Sequence, residues 1–198
     1  MGTLRGPAAA LAACAVMSAC GVSQDNDQAT TTSPAAAEET INPWDLPIEQ
    51  RPALFDPCAE IPIEAVEQGV GGPVAVSDLL ARHRPGELMT CGWQNREVHV
   101  TSVSTWKSRE DFLSDRNFVI RNEEYEVSGR PGLRLVETGD NSDSTCIQLF
   151  FTGRGTVWVK LDLVGGLSEF RGHRFSEACG ALDQAIGPIM MHLPQEDF

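Results

Sequence analysis

No stretch of this 198-residue sequence approaches the run of about 20 apolar residues that a spanning helix needs. Positive charge is also scarce, with 15 Lys and Arg against 28 Asp and Glu and a formal charge of -13. A surface of that sign repels phosphate backbones unless a local basic patch overrides it, so no nucleic-acid partner is expected. The cysteines show no CxxC pair, and His83, His99, His173 and His192 show no HxxxH pair, so the spacings of a metal site are missing. Gly166-Leu167-Ser168-Glu169-Phe170 fails as a nucleophile elbow because Phe170 fills the last Gly position, which leaves Ser168 as a cap or loop residue. Asp140-Asn141-Ser142-Asp143-Ser144 lacks the central Gly and distant Glu of a calcium loop and reads as a polar hairpin tip. There is no P-loop and no dinucleotide fingerprint. No catalytic residue, metal or cofactor is therefore predicted, and an enzyme is the less favoured reading.

What is present begins with export chemistry. Arg5 is followed by an apolar run from Ala8 to Met17 and then by Ser18-Ala19-Cys20. The run is about ten residues, the length of a signal peptide's apolar region and too short to span a bilayer. Met17-Ser18-Ala19-Cys20 resembles the bacterial lipobox, with Met17 where Leu is usual. It predicts cleavage before Cys20 and acylation of that thiol. Two acyl chains hold a protein on a membrane far more firmly than one. Residues 1–19 are thus read as a lipoprotein signal peptide, 20–52 as the lipidated Cys and a disordered tether, and 53–198 as an extracytoplasmic domain. The expected location is the outer face of the cytoplasmic membrane, with the lipid bilayer as a partner through acylated Cys20. Removing residues 1–19 takes away only Arg5, so the mature chain is more acidic still. Trp44 is the large aromatic of the tail, and it reads better as a clamp onto the chain's own domain than as a docking motif.

Within the domain, Pro62 opens a short helix carrying Ile63, Val66 and Val70, which the glycines at 69, 71 and 72 end. Strands are predicted over 87–94, 97–106, 117–121, 133–137, 146–152 and 156–164. Ser108 caps a short helix ahead of Phe112. Gly153-Arg154-Gly155 makes a hairpin turn, and Val157, Val159, Leu161 and Leu163 share one face. A final helix over 175–191 aligns Ala178, Leu182, Ala185, Ile186 and Ile189, and Pro188 is a point of kinking. The class is α+β: a mainly antiparallel sheet with a short N-terminal helix and a longer C-terminal helix, stapled by disulfides.

Cys14 leaves with the signal and Cys20 is acylated, so Cys58, Cys91, Cys146 and Cys179 remain, an even number suited to an oxidising compartment. Of three connectivities the favoured one joins Cys91 to Cys146, with Trp93 packed against the bridge, and Cys58 to Cys179. Two basic clusters, Arg82-His83-Arg84 and Arg171-Gly172-His173-Arg174, stand out against the acidic background. If they converge, Arg82, Arg84, Arg171 and Arg174 would hold an anionic glycan, phosphate or headgroup; otherwise they are solvated loops or ion-pair partners.

With the lipobox, Phe55-Asp56-Pro57-Cys58, Cys91-Gly92-Trp93 and the late Cys179 in view, the chain resembles the actinobacterial lipoprotein family grouped as domain of unknown function 3558, over about residues 53–198. The resemblance implies an envelope lipoprotein and carries over no catalytic residue. The leading functional expectation is a non-catalytic binding or scaffold module that contacts a small ligand or an envelope protein. The alternatives are a cell-wall hydrolase built on His99 or His173 with an acidic partner, and an accessory component of a transporter.

Overall fold

The computed structural model describes residues 41–140, 142–166 and 169–195. The signal peptide, Cys20, most of the tether, Asn141 and Ser168 lie outside the described residues.

Eight strands form one antiparallel sheet: β1 (Ala75–Val76), β2 (Arg82–Arg84), β3 (Leu88–Gln94), β4 (Val98–Thr105), β5 (Phe118–Val127), β6 (Arg130–Glu137), β7 (Thr145–Thr152) and β8 (Gly155–Leu163). Their order is β1-β3-β4-β8-β7-β6-β5, with β2 also on β3. β9 (Glu169–Phe170) and β10 (His173–Arg174) make a separate ribbon. The helices are α1 (Pro57–Glu60), α2 (Ile63–Val70), α3 (Arg109–Ser114) and α4 (Ala178–Met190).

Alternation dictates which side chains each face receives. One face carries Cys91, Trp93, Val98, Val100, Val157, Val159, Leu161, Cys146 and Phe150, and α2 and α4 cover it with Val66, Leu182, Ile186 and Ile189. α2 and α4 also meet closely. A Cβ at Gly69 would collide with the Ala185 carbonyl oxygen, so glycine is required there. The opposite face holds a smaller cluster of Leu133, Leu135, Ile147 and Leu149 under Phe112 of α3. The hydroxyl of Ser108 accepts from the Asp111 amide while the Asp111 carboxylate accepts from the Ser108 amide, so the expected cap forms as a reciprocal box.

The four domain cysteines are all paired, but the favoured connectivity is overturned. The bridges are Cys58–Cys91 and Cys146–Cys179, with Cα separations of 5.1 and 4.9 Å. Cys91 and Cys146 do share a face, as alternation suggested, yet β4 and β8 lie between their strands. Three strand spacings amount to about 14 Å, twice the reach of a disulfide. Each bridge instead ties a helix to the sheet, α1 to β3 and α4 to β7.

The helices follow the expectation only in part. The last one starts at Ala178 rather than 175, after an extended Glu177, and its amide donates to the Asp143 carbonyl. Helix α1 was not foreseen; Asp56 caps it and Pro57 sets its first turn. Strand β5 is twice the predicted length, with register shifts after Ile120 and Asn122.

Residues just ahead of 53 take part in the packing. Pro43–Asp45 and Ile48–Gln50 form 3-10 turns. Trp44 meets Trp106 edge to face at 5.0 Å, donates from its indole nitrogen to the Thr152 carbonyl at 3.1 Å, and lies under the Arg51 guanidinium. Trp44 therefore clamps the chain onto its own domain. The guanidinium of Arg154 grips Glu60 through two bonds of 2.6 and 2.9 Å, joining the β7–β8 turn to α1.

Candidate binding cleft

Strand β4 runs roughly 25 Å from end to end at about 3.3 Å per residue. At its Thr105 end lie the β7–β8 turn, Trp106 and the docked Trp44. At its Val98 end a cleft of about 770 Å³ opens between three turns: the end of α2 with the following Gly71–Ala75, the β3–β4 hairpin, and the turn between β9 and β10. Its polar lining includes Gln94, Arg96, Glu97, His99 and Arg171; Val70, Pro73, Val74 and Ala75 supply an apolar wall. Among the described residues no Phe, Tyr or Trp is part of the lining, and the His99 imidazole supplies an aromatic ring.

Local rules place each of these groups. Asn95 turns the hairpin by accepting from the amides of Glu97 and Val98 through its side-chain oxygen, leaving Arg96 exposed at the tip. The αL cap at Gly71 ends α2 and admits the Arg171 side chain, since a Cβ at Gly71 would strike the Arg171 guanidinium nitrogen. Arg171 itself has a left-handed backbone (φ 54°); its amide donates to Glu97 Oε2 at 3.0 Å and its guanidinium to the Gly69 carbonyl at 3.4 Å. A cation on the last carbonyls of a helix is also favoured by the helix dipole.

A polar row on the sheet begins at His99 of the cleft lining. His99 on β4 is the register partner of Asp162 on β8. The ammonium of Lys160 sits 2.9 Å from Asp162 and 2.8 Å from Glu137. Burial lifts the Asp162 carboxyl above its usual range even with Lys160 beside it. Burial also works against the Lys160 charge, but its two carboxylate partners prevail and hold its pKa above the ordinary value. Among the described residues no cluster of His, Cys, Asp and Glu suits a metal ion.

The basic residues expected from the sequence do not come together. Arg171 lines the cleft. Arg174 is exposed beside it in the chain and pairs with Glu169 at 3.1 Å. Arg82 and Arg84 lie on β2 opposite Thr90 and Leu88, at the far end of β3 from Gln94. Arg82 donates to the Leu79 and Ala81 carbonyls. The four-arginine anion site therefore does not assemble, because β2 and the β9–β10 ribbon attach at different ends of the sheet. Sequence reasoning missed Arg96 and Gln94. Their signal was the hairpin turn itself, whose flanking residues project into whatever space adjoins it. Of the two histidines considered, His99 is half-buried and in the cleft, whereas His173 is exposed on β10.

The fold and its cleft define an α+β protein with a two-faced antiparallel sheet, helices stapled to it, and an open pocket at one end. A family model described as a protein of unknown function (DUF3558) matches residues 9–186, and the chain belongs to that family. No curated protein and no solved structure matches it.

Proposed function

We propose that this chain is a lipid-anchored extracytoplasmic binding module of the cell envelope, and that the 770 Å³ cleft at the hairpin end is its ligand site. The observation that carries this reading is the cleft itself: a volume in the range of small-molecule sites, with several polar groups in its lining. Gln94, Arg96 and His99 make no side-chain hydrogen bond among the described residues, so their polar atoms are available to a ligand.

The anchor rests on the lipobox, Cys20 and the even number of remaining cysteines. The cleft lies at the opposite end of the sheet from residues 42–46, through which the chain leads back to Cys20. The hydrolase reading has His99 opposite Asp162 in the strand register, but among the described residues no hydrogen bond joins the imidazole to that carboxylate or to a Ser, Thr or Cys. Binding is therefore the better account.

Native mass spectrometry of the protein extracted from its own membrane tests this. The expected mass is a chain starting at Cys20 with diacylglycerol, two disulfides and a bound small molecule. A lipidated chain with nothing bound contradicts the binding role, and an unlipidated chain contradicts the anchor.

A further inference from the structure

We propose that the cleft selects a small polyol bearing a carboxylate or phosphate group, whose anion is taken by Arg96 and Arg171. The inference rests on the cleft being the ligand site and adds the chemistry it recognises. Two guanidinium groups line one pocket of a chain whose overall charge is strongly negative. Arg96 is exposed and engages no carboxylate among the described residues. Among the described residues the Arg171 guanidinium donates to the Gly69 carbonyl, and it carries further N–H donors beyond that bond. Planar guanidinium forks are suited to carboxylate and phosphate oxygens.

Glu97 also lines the pocket, but one of its oxygens already accepts the Arg171 amide. The other is positioned to take a ligand hydroxyl, as are the Gln94 amide and the His99 imidazole. Two guanidinium groups in one pocket attract an anionic group more strongly than a neutral sugar, so the charged group supplies most of the affinity. The apolar wall of Pro73 and Val74 then receives the carbon side of the polyol.

The test uses the full acylated chain in detergent, titrated with glucuronate, glucose 1-phosphate and glucose, and separately with phosphatidylglycerol vesicles, followed by calorimetry and hydrogen–deuterium exchange. Saturable binding of either acidic sugar, protection over 70–75 and 94–99, and no binding of glucose are expected. Arg96→Ala should weaken that binding by roughly tenfold or more, the loss of one charge-assisted contact, with an unchanged melting temperature. Arg84→Ala, outside the cleft, should change neither. Glucose binding as well as the acids, with the same protection, overturns the anionic class and leaves the cleft reading standing. Protection by the vesicles alone also overturns the proposal. Binding with protection elsewhere, or none at all, overturns both the proposal and the cleft reading.

Discussion

Asp140 organises the β6–β7 loop: its carboxylate accepts from the amide and hydroxyl of Thr145, the hydroxyls of Ser142 and Ser144, and the Ser142 amide. Burial alone would raise its pKa, but these donors hold it well below the ordinary carboxylate range. The group therefore contributes stability above its unfolded pKa of about 4, and that contribution is lost as pH falls below it. Asp140→Ala should lower stability by about 1 kcal/mol at neutral pH, allowing for solvent screening, and the gap to wild type should narrow below about pH 4. Denaturant titration at several pH values measures both. The hydroxyls of Ser102 and Ser104 are buried on β4 without a hydrogen-bond partner among the described residues. Replacing either by Ala removes an unsatisfied group at little cost in packing, so the melting temperature should hold or rise; a fall would reveal a partner these hydroxyls depend on. At this scale the sequence showed the Ser108 cap and the Trp44 clamp, because both signals are local. It did not show Arg134, which is almost fully buried and bonds Gln148 and Asp183 under the Tyr125 ring. An arginine in a strand pattern reads as outward-facing until the helix that supplies its carboxylate is in place.

The elements were most legible where alternation was strict. The β3–β4 and β7–β8 hairpins fall within a residue or two of their expected bounds, since both have clear turn residues and unbroken periodicity. Strand β5 was read short because its register shifts break the two-residue period beyond Ile120. Strands β1, β2, β9 and β10 are too short to carry a period at all. The disulfide pairing escaped for a different reason: a shared face says nothing of how many strands intervene. Each bridge closes 33 residues of sequence, worth about 3–4 kcal/mol in the chain-entropy account. Peptide mapping under non-reducing conditions should give Cys58 with Cys91 and Cys146 with Cys179. Replacing either pair by Ser should lower the melting point markedly, and an unchanged value would show that the bridge does not support the fold. Trp44→Ala removes the indole contacts with Trp106, Arg51 and Thr152. A loss of about 1–2 kcal/mol is expected by chemical denaturation; no loss would mean that the 3-10 segment adds nothing to stability.

For the whole molecule, the class was legible, an antiparallel sheet with helices and two disulfides, but the strand order was not. Strands β3 and β4 pair locally, then the chain crosses to the far edge at β5 and returns strand by strand until β8 lies against β4. That closure is set by long-range packing, and it decides which loops meet. The cleft draws on three segments far apart in sequence, around residues 71, 96 and 171, and only Arg171 among its charged residues belonged to a recognisable basic cluster. The two basic clusters, which the sequence left either to converge or to stay solvated and ion-paired, lie apart, with Arg82 and Arg84 on β2 and Arg171 in the cleft.

Gly72 offers the most direct test of the cleft as binding site. It lines the opening, and a Cβ there meets nothing within 4 Å, so a side chain can start from this position without a clash at its root. Native mass spectra of membrane-extracted wild type and Gly72→Trp should be compared. The account predicts that the bound small molecule disappears in the variant, while the lipid mass, the two disulfides and the melting temperature are retained. Persistence of the bound species in a folded Gly72→Trp protein would contradict it.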